Sequence, residues 1–385
     1  MIYLDNAATS FPKPEVVYQV MDDFLRRCSA SPGRSAHRLS IEAGRVVYEA
    51  RESLARLFNL ADPLRVVFTK NVTEALNLVL NGILRPGDHV ITSSMEHNSV
   101  IRPLRSLEER GVALTVAQCT TAGFLEPDQV ESAIRSHTRL IVLTHASNVA
   151  GTLLPVAEIG TIARKHGVLF CVDAAQTAGA FSLDMASMNV DLLAFTGHKS
   201  LFGPPGTGGL CIAPGAEDVL APLIRGGTGS RSESEYQPSF LPDKYESGTP
   251  NTVGLAGLRA GVDFLLSVGV QTVREREKQL MQLLIDGLKA IPEVTIHGSG
   301  DADKQVAVLS LSVAGMTSAE LAMELDEEYD ILCRPGLQCA PTAHRTMGTF
   351  PTGTVRLSPG YFTTEDAITA TLDAIAAIAA RAGKG

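Results

Sequence analysis

Between about residues 64 and 214, short apolar runs rich in β-branched residues alternate with stretches of helical period. VVFT at Val66–Thr69 precedes the helical TEALNLVLNGIL, and HVITS, VALTV, LIVLTHAS, VLFCVDAA and LLAFTGH follow as strands, with PVAEIGTIARKHG a helix between two of them. Strands that are apolar at successive positions need cover on both faces, and the intervening helices supply it. The pattern predicts an α/β large domain of three layers with a mostly parallel sheet, spanning residues 15–255. Residues 226–251 carry Gly, Ser, Thr, Pro and charge without an apolar period and read as a loop or hairpin that orders on assembly. Two helical segments follow, at about 252–266 and 270–290. A smaller α+β unit is built from strand VAVLSLSV (306–313), helix SAELAMEL, strands ILCRP and GTVRLSP, and a last helix opened by a capping signal from Thr363 to Asp366. Residues 1–14 and 256–385 are assigned to that second unit.

Composition narrows the function classes. The 385 residues carry a net charge of −9 and 45% hydrophobic residues, which fits a globular chain and lacks the basic excess of a nucleic-acid or anionic-membrane surface. The start MIYLDNAATS has an acid at Asp5 and no basic or long apolar region, so export and membrane insertion are not expected. Six cysteines without a C-x-x-C pair indicate neither a metal site nor a disulfide framework, and free thiols in a cytoplasmic protein are the expectation.

GHKSLFGPPGTGG, at 197–209, is the chemically informative stretch. Its glycines imitate a nucleotide-binding loop, but Gly209 stands where the phosphate-contacting lysine belongs and Leu210 where the Mg²⁺-binding hydroxyl belongs. A tight turn back into the sheet explains those glycines better. Lys199, at the carboxyl end of the apolar strand DLLAFTGH, is placed for partial desolvation, which lowers an amine's pKa and favours Schiff-base chemistry. Asp173 ends the apolar strand VLFCVDAAQ, where a carboxylate is costly unless a cation awaits it. An acid for a pyridine nitrogen and a lysine for an aldehyde carbon together call for pyridoxal 5'-phosphate. Its phosphate wants a helix amino terminus, which Val72 and Thr73 open after VVFT, with Thr196 and His198 as further donors.

The ordered set YLDNAAT (Tyr3 to Thr9), TEALN, EHNS, HASNVAGT, VDAAQ, TGHK, ESGTPN and RPGLQCA (Arg334 to Ala340) resembles the class V aminotransferase family of pyridoxal phosphate fold type I. Within it the chain is similar to the cysteine desulfurases and selenocysteine lyases of the short-loop second group. The resemblance implies Lys199 as the Schiff-base lysine, Asp173 on the pyridine nitrogen and Gln176 on the ring hydroxyl. It implies His97 stacked on the ring and assisting proton transfer, and Asn148 at the cofactor oxygen and the substrate carboxylate. Thr249 would reach the phosphate of the other subunit of a homodimer with shared sites. Cys339 would be the nucleophile that takes sulfur from L-cysteine as a persulfide, releasing L-alanine to solution and passing sulfur to an acceptor protein. Arg356 would grip the substrate carboxylate with both nitrogens, and Arg334 is a second nearby charge that favours a thiolate. Leu337 and Gln338 stand where the group's usual motif has two histidines. The neighbouring alternatives are a lyase acting on L-selenocysteine, a transaminase or a β-lyase; a sulfur carrier with a vestigial site is the reading from outside enzymes.

Overall fold

In the computed structural model, which describes residues 1–33 and 37–382, the chain begins with β1 (Ile2–Tyr3), α1 (Glu15–Arg27) and α2 (Arg38–Leu57). There follow β2 (Val66–Thr69), α3 (Val72–Ile83), β3 (His89–Ser93), α4 (Asn98–Glu108), β4 (Ala113–Ala117), α5 (Pro127–Ala133), β5 (Thr138–Thr144), α6 (Val156–His166), β6 (Leu169–Asp173), β7 (Leu192–Thr196), β8 (Gly208–Ile212) and α7 (Ala216–Val219). The remainder is α8 (Thr252–Val268), α9 (Val270–Lys289), β9 (Val294–His297), β10 (Leu309–Val313), α10 (Ser318–Tyr329), β11 (Ile331–Leu332), β12 (Arg334–Gly336), α11 (Pro341–Met347), β13 (Thr354–Leu357) and α12 (Glu365–Ala382).

The seven-stranded sheet has the order β2-β8-β7-β6-β5-β3-β4. Only β8 runs antiparallel to its neighbours, β7 and β2. Both parities of each inner strand are buried, but in different cores. Ile141 and Leu143 of β5, Phe170 and Val172 of β6, and Leu193 and Phe195 of β7 pack on one face. Leu140, Val142, Cys171, Leu192 and Ala194 pack on the other, against Leu76, Val79 and Leu80 of α3. This is why these strands read as continuous apolar runs. The second unit has a four-stranded antiparallel sheet, β12-β13-β10-β9, and a short parallel pair of β1 with β11. Leu4, Leu309, Leu311 and Leu357 form its core with Leu280 and Leu284 of α9 and Ile375 and Ile378 of α12.

The glycines of the false nucleotide loop serve packing. A side chain at Gly208 would meet the Asn71 backbone at 2.7 Å, and one at Gly209 would meet the Phe195 ring at 2.5 Å and the Val67 carbonyl at 2.6 Å. β8 can lie between β2 and β7, with its start against the opening of α3, only because these positions lack a Cβ.

Three expectations are corrected. Helices α1 and α2 were not evident from the pattern. α2 buries Val47 and Leu54 beside Ala43, Ala50, Ser53 and Arg51. Residues 226–251 form neither helix nor strand, so the hairpin option falls. The stretch instead has its own anchors: buried Tyr245 donates from its hydroxyl to Leu220 O at 2.9 Å, and Glu246 takes both Arg51 Nη atoms, at 2.7 and 2.5 Å, plus Phe68 N at 2.7 Å. At the last helix the cap is Thr364, whose hydroxyl accepts from Ala367 N, while the Thr363 hydroxyl accepts from Gly360 N. Removing Glu246 strands Arg51, whose side chain is only 5% exposed, as a buried cation without its carboxylate. Glu246→Ala is therefore expected to cost roughly 3–5 kcal/mol, read as a lower urea midpoint at unchanged slope.

Candidate active site

The carboxyl ends of β2, β3, β5, β6 and β7 open on one cavity of about 280 Å³, where an open α/β sheet collects its ligands. β2 leads into the start of α3, contributing Val72 and Thr73; β3 leads to His97; β5 leads to Asn148; β6 ends at Asp173, with Gln176 one turn on; and β7 ends at Thr196, before His198 and Lys199. Arg334, Cys339 and Arg356 close the cavity from the second unit.

Lys199 sits on a turn held from the amino-terminal segment. Ser10 Oγ donates to Lys199 O at 2.9 Å, Thr9 Oγ1 to His198 O at 3.0 Å, and Lys13 Nζ to Ser10 Oγ at 3.0 Å and His198 O at 3.2 Å. The motif near the amino terminus thus works by fastening a turn about 190 residues away in sequence. Burial lowers the Lys199 amine to about 8, against the opposing pull of Asp173, and Arg356 and Arg334 push it down further. Asp173, accepting from Ala175 N at 2.9 Å, is raised by burial, and only that bond and Lys199 pull it back. A buried acid with so little compensation favours a cationic partner. The first N–H groups of α3, at Val72 and Thr73, have no intrahelical acceptor, and Asn71 caps only Glu74 N. That opening offers an anion site beside Thr73, whose hydroxyl lies 2.8 Å from Ser99 Oγ.

His97 is the N-cap of α4: its Nδ1 accepts from Ser99 N at 3.0 Å. Burial, then Lys199 and three arginines, depress it to about 4, so the ring is neutral and carries its proton on Nε2. His198 is depressed to about 4 in the same way, by burial, Lys199 and Lys13. Beneath them lies Glu96, fully buried, accepting from Ser93 Oγ at 2.6 Å and from Thr144 N. Burial raises it to about 8, with Asp173 adding to the shift. A carboxyl raised on folding stabilises below its unfolded value of 4.5, and that stabilisation is lost as pH rises through about 8. Glu96→Gln is accordingly expected to gain at least about 2 kcal/mol on wild type between pH 5 and pH 8, measured by urea unfolding of the cofactor-free protein at both values.

Arg334 of β12 and Arg356 of β13 are direct cross-strand partners, so the antiparallel register delivers two guanidinium groups to one place. Arg356 is 1% exposed. Its Nη2 is paired with Asp5 Oδ1 at 2.6 Å and its Nη1 donates to Asn148 O at 3.0 Å, leaving Nε without a partner. Each Nη carries a second N–H, so these two contacts orient the guanidinium and leave donors, Nε among them, for a carboxylate. Arg334 Nη2 lies 3.8 Å from Cys339 Sγ. Cys339 is the exposed cysteine; Cys28, Cys171 and Cys211 are buried, and burial pushes Cys119 to about 11 and Cys333 to about 12. A thiol held that high is inert at neutral pH. Exposure and an adjacent guanidinium set Cys339 apart.

Thr249 does not reach this cavity. It lines a second one, of about 610 Å³, together with Arg51, Phe68, Lys70 and Glu246. Sequence reasoning assigned no role to Asp5, Glu96, Ser99, Gln338 or His344. The first three and Gln338 lie inside quoted motifs, which was the available signal; nothing local marks His344.

Residues 2–370 match the family described as Aminotransferase class-V, and the chain belongs to that family. Its relatives there are described as cysteine desulfurases. A probable cysteine desulfurase of Methanothermobacter thermautotrophicus is 36% identical over 95% of this chain and 92% of its own length. One from Pyrococcus abyssi is 34% identical over 93% and 89%. The apo structure of the cysteine desulfurase from Thermococcus onnurineus superposes with a TM-score of 0.93 at 32% identity, covering 98% of this chain and 94% of that one.

Proposed function

We propose that the protein is a pyridoxal-phosphate-dependent cysteine desulfurase that converts L-cysteine to L-alanine and takes the sulfur onto Cys339. One observation carries the reading: a buried acid, Asp173, and a depressed lysine, Lys199, share a cavity whose rim holds an exposed thiol beside Arg334. The residues fit the cofactor. Five buried side-chain polar atoms have no partner among the described residues, and three of them, Asn148 Oδ1, Thr196 Oγ1 and Arg356 Nε, belong to the lining of this cavity. Orphaned polar atoms converging on one space need a polar ligand there.

Val72 N, Thr73 N and the Thr73 hydroxyl would hold the phosphate, Asp173 the ring nitrogen, Gln176 the ring hydroxyl and Lys199 the aldehyde carbon. When bound, the cofactor supplies an electron sink for the pair left at the substrate α-carbon. The neutral His97 ring lies along one wall without adding charge. Arg356 and Arg334 draw the substrate carboxylate and orient the amino acid with its sulfur toward the rim. Lys199 Nζ, uncharged above about pH 8, takes the α-proton. Cys339 Sγ attacks the substrate sulfur, forming a sulfur–sulfur bond as the carbon–sulfur bond breaks, and a proton delivered to the freed carbon completes alanine. Cysteine and an enzyme thiol thus become alanine and an enzyme persulfide with no added oxidant.

Further parts of the reading are a homodimer in which Thr249 serves the partner's site, an acceptor protein that collects the persulfide sulfur, and a cytoplasmic setting. Anaerobic incubation with L-cysteine, followed by assay of alanine and of a 32-dalton mass gain on the Cys339 peptide, tests the core of it. Pyruvate and free sulfide in place of alanine and the adduct would point to β-elimination, and a requirement for a keto acid to a transaminase.

A further inference from the structure

We propose that Gln338 and His344 form a clamp that positions Cys339 at the cavity rim; this rests on the reading of Cys339 as the sulfur-accepting nucleophile. Gln338 and Cys339 take consecutive left-handed conformations, at φ 42° and 61°, although neither residue type favours that region. Two such residues in a row persist only where their surroundings hold them.

Here the holding is complete. Gln338 Nε2 donates to Arg334 O at 3.2 Å and Thr354 O at 3.0 Å, one carbonyl on each of β12 and β13. Its Oε1 meets His344 Nε2 at 2.9 Å, and its backbone carbonyl accepts from Asn148 Nδ2 at 2.7 Å. The next carbonyl, of Cys339 itself, accepts from Asn98 N at 2.8 Å. Two carbonyl acceptors identify which end of the amide is the NH₂, so Oε1 is the end facing the imidazole. His344 must then carry its proton on Nε2, and its Nδ1 accepts from Thr349 Oγ1 at 2.7 Å. The ring is fully buried and depressed to about 4 by that burial, so it holds one proton at neutral pH, already committed to Gln338.

Neither side chain has a proton to exchange with a substrate. Gln338 and His344 are therefore positioning residues: they brace the backbone from which Sγ projects toward Arg334. Just before the cysteine this chain puts an amide whose bonds all run into the frame.

The test compares the cofactor-loaded wild type with Gln338→Ala, His344→Ala and His344→Gln, the last because a glutamine amide can present a donor where imidazole Nε2 stood. In the two alanine variants, hydrogen exchange in the peptide spanning residues 334–342 is expected to quicken about tenfold or more, with the rest of the chain unchanged. Their kcat for alanine release from L-cysteine should fall about tenfold or more while KM moves less than about threefold, and His344→Gln should recover at least about a third of the lost rate. Wild-type exchange in that peptide, faster exchange there with unchanged kcat, or faster exchange throughout the protein would each overturn the clamp. A loaded wild type that releases no alanine overturns the functional reading instead, and the exchange data then decide the clamp alone.

Discussion

Lys199→Ala is expected to abolish alanine release from L-cysteine, lowering kcat by at least about 10³-fold, because one side chain both holds the cofactor and moves the α-proton. The same variant should lose the visible absorbance that pyridoxal phosphate acquires on attachment. The wild-type amine adds a pH test with a definite sign. Burial lowers its pKa to about 8, so the neutral, reactive form is a minority at pH 7 and dominates above pH 8. Attachment of pyridoxal phosphate to cofactor-free protein should therefore accelerate from pH 6.5 to about 8 and then level, followed as growth of the absorbance band. An unperturbed lysine would keep accelerating to about pH 10. Residual turnover in Lys199→Ala above roughly a hundredth of wild type would show that another group carries the proton.

Cys339→Ser should separate cofactor chemistry from sulfur transfer. The cavity floor is untouched, so cofactor absorbance and its response to added cysteine are expected to remain. Persulfide formation should disappear and alanine release fall by about 10²-fold or more, since a hydroxyl in place of the thiol cannot accept sulfur. The measurement is alanine and peptide mass in one reaction mixture. A serine variant that still releases alanine at the wild-type rate would remove Cys339 from the mechanism and assign the sulfur to another thiol acceptor. Arg334→Ala should show a milder form of the same defect, with the thiol present but without its nearest cation.

Much of this site was legible because its chemistry sits at strand ends. Asp173 and Lys199 each follow a run too apolar to end in a charge without a reason, and parallel strands put all their carboxyl ends on one edge. Cys339 was marked through the resemblance of its RPGLQCA segment, and the structure sets it apart from the other five cysteines by its exposure. The false nucleotide loop was legible too, from the two residues it lacks. His97 as a helix cap was not, because imidazoles rarely fill that role and nothing in EHNS distinguishes a ring that caps from one that only faces a ligand. α2 buries Val47 and Leu54 beside alanine, serine and one arginine, so its helical period was available in the chain. Arg356 was found as a charge, but not its pairing with Asp5, which lies 351 residues away and which no local pattern encodes.

Periodicity and strand-end chemistry, both short-range properties, determined the layered sheet and placed Lys199, Asp173, Val72, Thr73, Thr196 and His198 at the cavity, while the resemblance named Gln176, His97, Asn148, Cys339 and Arg356. Contacts between distant segments decided the rest: Asp5 on Arg356, Glu246 on Arg51, the amino-terminal hydroxyls on the Lys199 turn, and the amide of Gln338 between two strands and His344. The physical reason is that a buried polar group must find a partner wherever the fold brings one, and that place is set by the register and packing of whole elements, not by its neighbours in the chain.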